Sequence, residues 1–256
     1  MPREMPVLTG DKKRNKRKNP VRLSGAERRY GGQLRKIAHQ VDVFVNGFPA
    51  DDASYAPTIE DLLRRYAEAL APWAEATAAR MIADLNRRDE QMWMKQAADM
   101  SRALREEIRG AATGETMRAL LSEQVRLIKS IPLDAAERVH RLTLEGIVDG
   151  TRAAQISKAI RESGQVAKSR ADTIARTEVS RTAATLTEAR ALDVGSPGYF
   201  WRTSGDSDVR EDHRELEGKF FTWDKPPIAD KRTGARAHPG CIYNCRCWAE
   251  VVLPLA

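Results

Sequence analysis

Apolar positions recur at helical spacing along most of the chain. Ile59, Leu62, Leu63, Tyr66, Leu70 and Trp73 fall at i, i+3, i+4, i+7, i+11 and i+14, the stripe of an amphipathic helix that Thr58 can cap. Trp93, Met94, Ala97, Met100, Leu104 and Ile108 form a second stripe that stops near Gly110. Met117, Leu120, Leu121, Val125 and Ile128 form a third, closed by Ile131-Pro132 because proline breaks a helix interior. Asp134 with Glu137 has capping-box spacing and opens a helix through Val139, Leu142 and Ile147 toward Gly150. Short connections predict a helical bundle or hairpin array, with the aromatic and Met stripes as its core.

A short amphipathic helix follows over 151–164, ending at Ser163-Gly164 as a glycine C′ position ends one. A longer helix from about Lys168 to Leu192 carries the small apolar residues Ala171, Ala175, Val179 and Ala183, which suit close packing, along with Ile174 and Leu186. Gly195-Ser196-Pro197-Gly198 then breaks the period. Beyond it Tyr199-Phe200-Trp201, Lys219–Trp223 and Trp248–Leu253 are short runs of strand type, with Pro226-Pro227 and Gly234 marking a loop. The expected fold class is α+β: a predominantly helical body over 37–195 and a small, loop-rich α+β C-terminal lobe over 196–256.

Composition agrees with this layout. The 256 residues are 31% charged and 6% aromatic, which fits a helix-rich protein better than a β-sandwich or barrel. No apolar run approaches the roughly 20 residues a bilayer needs, and the basic N-terminal stretch is not followed by an apolar signal segment, so no membrane partner is expected.

Charge adds a third part. Residues 1–36 hold twelve Lys/Arg against three Asp/Glu, so their net +9 exceeds the +7 of the whole chain. The centre of this segment offers nothing apolar to bury and is expected to be a disordered basic arm. Lys12, Lys13, Arg14, Lys16, Arg17 and Lys18 make it a non-specific polyanion binder, with DNA the expected partner.

All three cysteines, Cys241, Cys245 and Cys247, fall within seven residues, too close for a disulfide framework. With His213 and His238 they place five nitrogen or sulfur donors in thirty-five residues, more than the four a tetrahedral zinc site takes. One structural Zn2+ is therefore expected, closed to further ligands and stabilising a lobe with few apolar residues. Cys245 and Cys247, two apart, reach one ion only if the segment turns there. A Cys–His nucleophile pair is the enzymatic alternative, but three crowded thiols beside Arg246 favour ligation, and no catalytic residue is assigned.

The run Arg170–Glu178, then Trp201-Arg202-Thr203 leading through Asp208-Val209-Arg210 to His213 and Gly218, and finally His238-Pro239 with Asn244-Cys245-Arg246-Cys247, resembles the Mu F-like minor head proteins of tailed bacteriophages over about 135–252. The resemblance implies a low-copy, non-enzymatic protein of the virion, acting in head morphogenesis at the portal vertex. Its implied partners are portal protein, other head proteins and the packaged DNA. Relatives often have cysteine where His213 stands, an exchange zinc tolerates. Their last motif is a compact His-Pro-Asn-Cys-Arg-Cys, into which this chain inserts Gly240-Cys241-Ile242-Tyr243, so which four groups ligate stays open. The alternative function is a zinc-dependent nucleic-acid-binding protein with no capsid role.

Overall fold

The computed structural model describes residues 19–49, 52–96 and 102–253. In chain order these form α1 (Ser24–Asn46), a 3-10 turn (Ala53–Tyr55), α2 (Ala56–Ala69), α3 (Ala71–Gln96), α4 (Arg102–Gly110), α5 (Gly114–Val148), α6 (Ala153–Arg161) and α7 (Ser163–Asp193). The remainder is β1 (Gly198–Arg202), α8 (Glu211–Leu216), β2 (Phe220–Phe221), β3 (Ile228–Asp230), β4 (Ala235–Arg236) and β5 (Trp248–Val252). The class is α+β, mostly helical with its small sheets at the C-terminal end. No described helix is long and apolar enough to cross a membrane.

The described residues fall into two compact units, and the division is not at residue 195. One unit is built from 27–80 and 121–176, the other from 19–26, 81–120 and 177–253. α3, α5 and α7 each contribute residues to both. A boundary drawn from a change in composition misses this, because a long helix has one composition along its length and can serve two cores.

In the first unit α1 buries Tyr30, Leu34, Ile37, Ala38, Val41 and Val45, a full helical stripe. It begins at Ser24, so residues 24–36, counted above with the basic arm, are helix instead: their charges occupy the solvent face while Ala26, Tyr30 and Leu34 are buried. The Tyr30 hydroxyl donates to Oε1 of the buried Gln124 at 2.9 Å, and Phe44 meets Tyr66 edge to face at 5.3 Å. The stripe from Ile59 to Trp73 is divided by a turn at Leu70 between α2 and α3, and the helix start lies at Ala56-Pro57, with Thr58 exposed inside the helix. Trp93 belongs to α3, and Ala97 and Met100 of the second expected stripe lie outside the described residues.

Two local signals are overridden. Pro132 sits inside the 35-residue α5. A proline there costs about 3 kcal/mol, but Ile128, Ile131, Ala136 and Val139 are fully or almost fully buried on either side of it, and burying such side chains is worth about 1.5–3 kcal/mol each for the larger ones. Asp134 and Glu137 are accordingly interior helix residues. Gly164, expected as a C′ glycine, lies in the first turn of α7, where a Cβ would stand 2.0 Å from Oδ1 of Asp42 on α1. Its role is close approach of two helices.

The second unit holds the sheets. β1 is central in an antiparallel sheet of order β2-β1-β5, with Tyr199 opposite Phe221 and Val251, and Trp201 opposite Ala249. β3 and β4 form a separate two-stranded hairpin. α7 ends in a Schellman motif: Gly195, at φ +72°, donates to Leu192 O, and Ser196 N donates to Ala191 O at 2.8 Å. The side chains of Tyr199, Trp201, Ala229, Val251 and Val252 form the core of this end of the unit.

Candidate metal centre

His213 is carried by the one-and-a-half-turn helix α8, with its ring turned inward and only 2% of the residue exposed. A turn in which Asp206 Oδ1 accepts from Asp208 N–H precedes α8, and Asp212 Oδ2 accepts from Lys231 N–H, fastening the helix to the loop after β3. Cys245 and Cys247 lie on the segment leading into β5, both buried. That segment turns as two-apart cysteines require. Asn244 takes the left-handed conformation at φ +55°, which asparagine tolerates better than most residues, and Cys245 N–H returns to Ile242 O at 3.2 Å. Thr177 Oγ1 on α7 accepts the Asn244 N–H and holds the turn in place.

The result is one buried cluster. Nδ1 of His213 lies 3.6 Å from Sγ of Cys245 and 3.5 Å from Sγ of Cys247, and all three donor atoms fall within 4.8 Å of one another. On the far side of the ring Nε2 is 3.0 Å from the carbonyl oxygen of Ala229. A carbonyl only accepts, so Nε2 carries a proton and donates it to Ala229 O, leaving Nδ1 as the ring atom turned toward the two sulfurs, the arrangement that orients a metal-ligating imidazole. Zinc–nitrogen and zinc–sulfur bonds of 2.0–2.3 Å at tetrahedral angles put N and S about 3.6 Å apart. The two observed N···S separations match that spacing, so the cluster fits a thiolate- and imidazole-preferring ion.

Electrostatics agree with shared thiolate character. The Cys247 thiol donating to Cys245 holds Cys245 well below the ordinary thiol range, with His213 assisting and burial opposing. Cys247 moves up for the converse reasons, its bond to Cys245 and its burial. The Cys247 N–H also points at Sγ of Cys245, at 3.4 Å. Trp201 packs edge-on to the His213 ring with centroids 5.4 Å apart.

The other two expected donors are placed elsewhere. His238 has Nδ1 2.9 Å from the Tyr199 hydroxyl and Nε2 3.3 Å from Oε1 of Glu188, so both ring nitrogens face protein partners. The Cys241 thiol contacts Thr185 on α7 and is pushed up to about 12, by burial first and then by Glu188. The five candidates thus divide into three that converge and two directed at α7. The arm residues Lys12, Lys13, Arg14, Lys16, Arg17 and Lys18 lie outside the described residues. Ala229, Tyr199, Glu188 and Thr177 complete the site without having been singled out for it; a backbone carbonyl has no sequence signature, and Glu188 lies fifty residues before His238.

Arg202-Thr203, part of the phage-like pattern, forms a clasp. Arg202 pairs with the buried Glu250 of β5 and with Glu217, and Glu217 also accepts from Thr203 N–H at 2.6 Å. Arg246, between the cysteines, pairs with Asp208 at 3.0 Å and Asp206 at 3.2 Å. The polar residues of these separate motifs therefore brace a small lobe around the thiolate–imidazole centre.

Residues 137–250 match the family model described as Phage Mu protein F like protein, so over that stretch, less than half of its length, the chain is similar to that family. An uncharacterized protein of Haemophilus influenzae is 36% identical over 133 residues, covering 52% of this chain. The match covers 28% of that relative's own length. No solved structure matches.

Proposed function

We propose that the protein is a minor head protein of a tailed phage, low in copy number, that acts in head assembly at the portal vertex and contacts the packaged DNA. The observation that carries this reading is the family match over 137–250, which contains all three converging ligands and the clasp that braces them. The helical units supply surfaces for portal and head proteins. The cluster Lys12–Lys18 supplies charge for DNA phosphates. In this reading the His213, Cys245 and Cys247 centre holds one zinc that stabilises the lobe, and no residue has a catalytic role.

The test is to purify assembled heads and probe them for this chain, with portal protein as the co-purifying partner. Heads that form normally and never contain it overturn the reading. The outcome then favours the second one, a zinc-dependent nucleic-acid-binding protein, for which the Lys12–Lys18 cluster is the specific observation. Six phosphate contacts predict a log K against log salt slope of about −4 to −5, and neutralising the six bases should remove it in either reading.

A further inference from the structure

Tetrahedral zinc takes four donors, and the chain brings three together. Among the described residues, Cys241, Asp208 and His238 are candidates for the fourth, and each is engaged elsewhere. Cys241 contacts Thr185 and lies beside Glu188 on α7, while its N–H is bonded to His238 O at 3.1 Å. Asp208 is 77% exposed at its side chain and is paired with Arg246. His238, the other imidazole of the set, faces Tyr199 and Glu188.

The side of the cluster formed by His213 and Cys245 borders a small cleft whose other walls include Ser204, Asp208, Asn244 and Arg246. These are polar groups able to hold water by hydrogen bonds. Cys247 does not line that cleft; it lines a second, less polar cavity together with Met92, Ala183, Trp248 and Ala249. A polar cleft therefore adjoins the two buried residues His213 and Cys245 on one side of the cluster.

We propose that the chain supplies only three ligands to its metal and that the fourth is exogenous, a water drawn from this cleft, exchangeable for a small thiol or anion. This rests on the metal centre of the preceding section. It replaces the closed four-ligand site expected from the sequence with an open one, the coordination pattern in which three protein groups leave a position for another molecule.

The experiment uses the full chain loaded with cobalt(II) in place of zinc, whose thiolate charge-transfer absorption counts bound sulfur. The wild type should show two thiolates. Cys241→Ser and Asp208→Asn should keep its spectrum, and their affinity should change by less than about tenfold, the lower end of what loss of even an outer-shell partner costs. Cys245→Ser should lose one thiolate, and added 2-mercaptoethanol should raise the wild-type count toward three. A third thiolate before any is added, a spectrum changed by Cys241→Ser or Asp208→Asn, or indifference to the added thiol would overturn the open position while leaving the metal centre standing. Failure of the wild-type chain to bind cobalt or zinc would overturn the metal centre itself. Circular dichroism of each variant separates a lost ligand from a lost fold.

Discussion

Nε of Arg190 lies 2.9 Å from Oδ2 of Asp89, and both side chains are sealed from solvent. The rest of the guanidinium is satisfied by Ile108 O at 2.7 Å and Asn86 Oδ1 at 3.1 Å, and Asp89 accepts further from Thr187 Oγ1 at 2.6 Å. Breaking a buried pair from one side strands the other charge, whereas replacing both with apolar groups removes the desolvation cost with the attraction. Arg190→Leu should cost about 3–5 kcal/mol in urea unfolding, and the double variant Asp89→Leu/Arg190→Leu should recover part of that loss. A double variant less stable than the single one would show that the network's other hydrogen bonds dominate.

Gly164 is expected to be intolerant of even one methyl group. Gly164→Ala should destabilise by about 1–3 kcal/mol, as overpacking a tight helix contact does. Asp42→Ala removes the Oδ1 and Cγ that the new Cβ would meet and leaves only the Asp42 Cβ at 2.8 Å, so the combined variant should be more stable than the sum of the two single changes. Additive thermal shifts would mean that the helices move apart freely.

Removing metal should loosen the β-strand lobe, because binding to the folded site alone stabilises that fold. Elemental analysis of protein purified without chelator is expected to give about one zinc per chain. Chelator should lower the melting temperature, and His213→Ala should lower it in untreated protein while making it insensitive to chelator. A melting temperature unaffected by chelator and by His213→Ala would contradict a stabilising metal.

Cys241 predicts an alkaline weakness. The folded chain holds its thiol proton to about 12, while the unfolded chain releases it near 9.0. Between those values the unfolded state binds fewer protons, so stability falls as pH rises, by about 1.4 kcal/mol per pH unit from this group alone. Below 9.0 both states are protonated and the contribution is unchanged. Urea unfolding of wild type and Cys241→Ser should therefore diverge in slope above that pH, the variant losing less stability; parallel curves would refute a buried thiol.

Much of the fold was legible where one local pattern agreed with burial. The aromatic runs around Tyr199, Phe221 and Trp248 became β1, β2 and β5, and the small-residue stripe from Ala171 to Leu186 became α7. Pro132 and Gly164 were misread for opposite reasons. At Pro132 a local breaker was outweighed by burial on both sides, and at Gly164 a residue usually explained by its own backbone was required by Asp42, more than a hundred positions earlier. The site was legible as a set of five donors. Its division into three and two depends on the Asn244 turn and on α7, whose Thr177, Thr185 and Glu188 hold the segment in register, and no spacing within the motif encodes those contacts.

The sharing of long helices between units bears on how the matched region can be handled as a piece of protein. Residues 137–250 contain Arg190 but neither Asp89, Asn86 nor Ile108, the groups that satisfy its guanidinium. An excised fragment with those limits would carry a buried-type cation with no counterion and the cut ends of a core. The matched stretch thus leaves out groups to which its own α7 is bonded, and expression boundaries are better set from the helices than from the alignment.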